Sequence, residues 1–280
     1  MKYSLCNHIL LLGSFLTLGF AGGCTEEKVQ EIQEPEDLRP LIEPEFVMNE
    51  VVLLSSTEGF DLTGDGIPNN GLAHLFEDPM VGPALGGDPN EYIAKTVRRA
   101  EMLILLDFQN FQGYENDKSV DIDILLGHDF DGERSNNFEG SEMSVTCSSL
   151  TTEGVAESQF FDAEIKDGQL NGSGGSFRFL VSFSNTEVLL QNAKIVGTMD
   201  PQGTNIINGM IGGAVSFDDL EEVVENDPEI GPSFAVLMLT FLENQLDTDL
   251  DGDGDLDALS ASFSFEAVPV TIDRERPCSE

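Results

Sequence analysis

Tryptophan is absent from the 280 residues and tyrosine occurs three times. Aromatic platforms of the kind carbohydrate chemistry usually needs are therefore scarce. Basic residues are also few, 13 Lys and Arg against 52 Asp and Glu. Such a field repels phosphate backbones, which excludes nucleic acid as a partner, and it attracts divalent cations and basic partners. Past the first 23 residues no apolar run reaches the ~18 residues of a membrane-spanning helix. Only His74 and His128 lie beyond that segment, and neither sits in an HExxH or GxSxG setting, so no catalytic residue is assigned. Hydrophobic residues nonetheless make up 40% of the chain. From Val51 onward they are interspersed with the acids, which is not the composition of disorder.

What the first residues do contain is Lys2, an apolar run from Ile9 to Phe20, and Ala21-Gly22-Gly23 directly before Cys24. The pattern reads as a cleaved export signal over 1–23, because the run is too short to stay in a bilayer. A plain secretory signal needs no cysteine there. The segment resembles the lipobox of bacterial lipoproteins, with Ala21 where leucine is common. That resemblance implies that Cys24 is lipidated and becomes the new N-terminus. Thr25 stands where an aspartate often retains lipoproteins in the inner membrane, so the resemblance implies a lipid anchor in the outer membrane or at the cell surface. Residues 24–50 are rich in Glu and Pro without a sustained apolar period, as in an extended linker. Residues 51–280 are long enough for one domain with a sizeable core.

The domain reads as mainly β, an antiparallel β-sandwich or open barrel with a few peripheral α-helices. Val120–Leu126, Phe177–Phe183 and Ala261–Val268 alternate apolar and polar residues with the period of a half-buried strand. Met102–Phe108, Phe160–Lys166, Glu187–Gln191, Ala193–Met199 and Ile206–Val215 are further candidates. Gly, Asp and Asn turns separate them, among them Ser184-Asn185, and Asn171–Gly175 reads as a flexible hairpin turn. Asp88-Pro89-Asn90-Glu91 opens a helix to about Glu101, and Ser216 caps a short acidic one. Ser233 opens a third, with Phe234, Leu237, Met238 and Phe241 inward. Cys147 and Cys278 form an even pair in an exported chain, read as one disulfide, with two buried thiols as the alternative.

The strongest chemical motif is Asp249-Leu250-Asp251-Gly252-Asp253-Gly254-Asp255-Leu256-Asp257. Acids at alternate positions, with a glycine after the third, let a tight loop wrap oxygens around one hard cation. Asp249, Asp251 and Asp253 would offer side-chain oxygens, Asp255 a backbone carbonyl, and Asp257 a side chain directly or through water. Asp61, Thr63, Asp65, Ile67 and Asn69 occupy the same positions of a weaker copy, leading into a helix at Leu72–Phe76. Both copies resemble the DxDxDG calcium loops of thrombospondin type 3 repeats and dockerins over about nine residues each. The resemblance implies Ca2+ as the cofactor. The bidentate glutamate of an EF-hand is missing, with Ser260 and Leu72 at its place. A solvated acidic turn is the alternative in each case. His128–Glu133 is a third acidic turn with too few spaced ligands. The combined expectation is a lipid-anchored, non-enzymatic interaction or structural domain stabilised by calcium. A hydrolase using paired carboxylates, or a carrier of an apolar ligand, are the alternatives.

Overall fold

The computed structural model describes residues 43–279 except 86, 182–185, 227–229 and 277. The expected leader 1–23, Cys24, most of the linker and the Ser184-Asn185 turn lie outside these residues. The strands are β1 (Glu45–Leu53), β2 (Ile104–Gln109), β3 (Asn116–His128), β4 (Glu142–Val145), β5 (Ser158–Lys166), β6 (Gln169–Val181), β7 (Thr186–Met199), β8 (Ile206–Ser216), β9 (Ala258–Pro269) and β10 (Thr271–Asp273). The helices are α1 (Gly71–Glu77), α2 (Pro89–Arg98), α3 (Phe217–Asn226) and α4 (Pro232–Glu243). The fold is thus mainly β, as the alternation predicts.

Eight strands close on themselves in the order β3-β2-β1-β9-β8-β7-β6-β5, with β5 returning to β3, and every neighbour is antiparallel. The result is a closed barrel, so these eight strands leave no sheet edge unpaired. The inward set includes Phe46, Phe108, Ile122, Phe160, Phe177, Ile195, Ile211 and Phe263, all fully buried. Phe263 packs against Phe179 at 4.3 Å and Phe177 at 6.4 Å between ring centroids. Where β8 ends and β9 begins, α1, α3 and α4 bring Leu72, Leu75, Leu220, Val224 and Met238 onto the same core. The apolar cavity they share with Val188 and Val215 holds about 20 Å³. That is room for about one water, not an apolar ligand.

Bulges bend the strands into a barrel. Asp162, Asn192 and Asn208 all have positive φ, and each stands where a strand register shifts. Asn192 therefore kinks one long strand, β7, where the sequence suggests two. The Asn171–Gly175 segment is a correction too, since it lies within β6. A Cβ on Gly175 would come within 2.5 Å of the Gln159 carbonyl and the Phe160 ring, so glycine there permits close approach between the neighbouring strands β6 and β5.

β1 begins at Glu45, inside the segment expected to be linker. Phe46, Val47 and Met48 are buried, and the charge of Glu45 is met by Arg274 at 2.9 Å. Helix α2 starts where predicted, with the Asp88 side chain accepting from the Asn90 N–H at 2.9 Å. Ser216 caps α3 by accepting from the Asp219 N–H. For α4 the expectation fails in detail: it begins at Pro232 behind Gly231, without a side-chain cap. Its buried residues are Met238 and Leu242, while Leu237 is half exposed.

A second, smaller core lies outside the barrel. Val47, Leu105 and Leu125 point outward from β1, β2 and β3 and are covered by Met143, Val145, Val270 and Ile272 of the β4–β10 region. Strand β10 runs parallel to β4, and the disulfide Cys147–Cys278, with Cα atoms 4.9 Å apart, pins the tail behind it. Both sulfurs are consumed in that bridge, as the even cysteine pair predicts. No helix among the described residues is long and apolar enough to cross a membrane.

Candidate metal centre and a buried carboxylate row

The two acidic loops share one backbone design. In the second, Asp249 accepts from the N–H groups of Gly252 at 2.7 Å and Gly254 at 2.9 Å. In the first, Asp61 accepts from Gly64 at 2.6 Å and Gly66 at 2.8 Å, the same offsets of three and five residues. These backbone donors, that of Gly66 foremost, hold the Asp61 carboxyl below its usual pKa. Gly66 and Gly254 carry φ of 86° and 102°, a left-handed region that makes glycine the fitting residue at the sharp turn.

Asp249, Asp251 and Asp253 come together as expected, each offering an oxygen within 4.8 Å of the others. Asp255 is exposed, and Asp257 turns back so that its Oδ1 accepts from the Leu250 N–H at 2.7 Å. In the first loop Thr63 donates to Asp61, and Asp65 accepts from the Ile67 N–H. The Asn69 Oδ1 is buried without a hydrogen-bond partner. In the third acidic turn the carboxylates of Asp129 and Asp131 are occupied by Gly132, Glu133, Asn136 and Asn137.

Asp247, two residues ahead of the second loop, joins the two loops and was missed by the motif. Its Oδ1 accepts from the Ser260 N–H at 2.7 Å, and its Oδ2 accepts from the Ser260 hydroxyl and from Asn69 Nδ2 at 3.1 Å. The Ser260 Oγ accepts in turn from the Gly71 N–H at 2.8 Å. Asn70 caps α1 and donates to the carbonyls of Leu54 and Ser262. Ser260 thus stands where an EF-hand would place its glutamate, and there it links the loops to each other. A trace was present in sequence: Asp247 extends the alternate-acid pattern of the loop by one step.

A second cluster lies on the outer face of the barrel. Glu45, Asp107 and Asp123 are directly paired across β1, β2 and β3, a row of three carboxylates ending in Gln159 of β5. Arg274 bonds Glu45 and Asp107 from the tail, and Gln159 Nε2 donates to Asp123 Oδ1 at 2.6 Å. Burial is the leading cause that raises the pKa of all three acids. Their protonated forms are therefore favoured by the folded state. Their contribution is full below the ordinary carboxylate range and fades as pH rises through the raised values. Asp123→Asn should flatten that loss and add about 0.5–1 kcal/mol of stability at neutral pH, by removing a like charge opposite Asp107. Urea unfolding at several pH values checks this, and an unchanged pH slope or a net loss of stability would contradict it.

No family description, curated protein or solved structure matches this chain.

Proposed function

We propose that this protein is a lipid-anchored extracytoplasmic lipoprotein of the outer membrane or cell surface, whose β-barrel domain is clamped by calcium at its two acidic loops. The observation that carries the calcium reading is the convergence of Asp249, Asp251 and Asp253 oxygens within 4.8 Å on a loop of hard oxygen donors. The duplicated Asp61 loop supports it, with Asn69 supplying a buried oxygen that no other group uses. Bound Ca2+ would supply positive charge to offset the carboxylates. Asp249, Asp251 and Asp253 would hold it in the second loop, and Asp61, Thr63, Asp65 and Asn69 would hold a weaker one in the first. Because Asp247, Ser260 and Asn69 tie the loops to β9 and α1, tightening either loop braces the barrel wall. The role is structural, and the partner is a protein or another basic group drawn by the acidic field.

Equilibrium dialysis with calcium should show ion retained by the wild-type protein, most of it lost in Asp253→Ala. The anchor is tested separately. Cys24→Ser should move the protein from the membrane fraction to the soluble one, since no other anchor is proposed. Mass spectrometry finding Cys24 unmodified in membrane-bound protein would remove the anchor from this reading. Hydrolysis by paired carboxylates has one observation in its favour, the Asp107–Asp123 pair beside a cavity. Arg274 holds Asp107, however, which ties that acid to a fixed cation and favours binding over proton transfer.

A further inference from the structure

The carboxylate row borders a cavity of about 320 Å³ between the barrel wall and the disulfide-tied tail. Asp107, Asp123, Asp273, Arg274 and Arg276 contribute its polar lining. The charges do not pair off evenly. Arg276 is engaged by Asp273 at 2.9 Å, and its guanidinium lies over the Phe130 ring at 3.8 Å. Arg274 is shared between Glu45 and Asp107. Asp123 hydrogen-bonds the neutral amide of Gln159 and meets Arg274 only through space, without a direct ion pair among the described residues. Asp107 is 1% exposed, and its Oδ1 accepts no hydrogen bond. A buried carboxylate oxygen without a donor is unfavourable, so its place beside an open cavity points to a donor arriving from outside.

We propose that this cavity binds a small organic cation, an ammonium group carried on a short apolar body. The ammonium would donate to Asp123 and to the unpartnered oxygen of Asp107, offering three N–H donors and one positive charge. Leu125, Val145, Leu150 and Ala156 form apolar walls for the body. A bare divalent ion fits poorly, because calcium takes 6–8 oxygen ligands and these walls are largely hydrocarbon. Burial raises the pKa of Asp107 and Asp123, and an arriving cation would offset that cost.

The test is titration of the purified exported protein with n-butylammonium chloride, followed by backbone amide NMR. n-Butanol and butyrate are the neutral and anionic controls. Shifts should concentrate at Asp123, Leu125, Val145 and Ala156 with the ammonium ion alone. Asp123→Asn should weaken binding about tenfold, as expected for loss of one charge-assisted hydrogen bond. Glu266→Gln, at an exposed acid on β9, should leave it unchanged. An unfolding midpoint at or above wild type shows that Asp123→Asn is folded. Equal weakening by both substitutions, equal shifts with butanol, or no shifts at the cavity would each overturn the proposal.

Discussion

Replacing both Cys147 and Cys278 with serine should destabilise the domain by about 5 kcal/mol, the largest single effect expected in this molecule. The bridge closes a loop of 131 residues. In the chain-entropy account, a loop of that length removes about 5 kcal/mol of freedom from the unfolded chain. The native state also loses locally. The bridge holds the tail beside β4, with the Cys147 N–H donating to the Ser279 carbonyl at 2.8 Å and the Ser279 N–H to Val145 at 2.9 Å. The same tail carries Arg274 to Glu45 and Asp107. Freeing it exposes the outer core of Val47, Leu105 and Leu125 and leaves buried carboxylates without their cation. Paired urea unfolding curves for wild type and the double variant measure the loss. A difference under about 1 kcal/mol would mean that the β4–β10 pairing holds the tail without the bridge.

Asp253→Ala should lower stability by about 2–3 kcal/mol in millimolar calcium and by much less in excess chelator. An ion at ~100 times its dissociation constant contributes about 2.7 kcal/mol. Removing one of three convergent carboxylates takes most of that away. Asp65→Ala should cost less, because Thr63 and Asn69 already replace two acids in the first loop and leave it lower charge. Magnesium should restore little, since it demands a smaller and stricter octahedral shell. Thermal unfolding of each variant in calcium, magnesium and chelator separates these cases. Equal losses in calcium and in chelator would assign Asp253 to the turn itself, through its acceptance of the Asp255 N–H at 2.9 Å.

Much of this architecture was legible locally. Period-two alternation marked β3, β6 and β9, and Asp88 and Ser216 announced α2 and α3 through their caps. Barrel closure was not legible, because it depends on β3 meeting β5 across a separation that no short window contains. Asn192 looked like a break between strands, since an Asn in the left-handed region serves a bulge as readily as a turn. Gly172 and Gly175 read as turn residues, whereas their lack of side chains serves close packing on Phe160 and Ile195. The Asp249 loop was visible because all its donors lie within nine residues. The row of Glu45, Asp107 and Asp123 was hidden, because only strand register places three distant acids side by side.

Calcium bound at the acidic loops is proposed here as part of the folded state. The most direct test is the thermal unfolding of the wild-type protein in millimolar calcium and in excess chelator, side by side. The melting temperature should be clearly higher with calcium, by several degrees for a domain of this size. Coincident unfolding curves would contradict it and leave Asp249–Asp257 and Asp61–Asn69 as solvated turns closed by their own backbone hydrogen bonds.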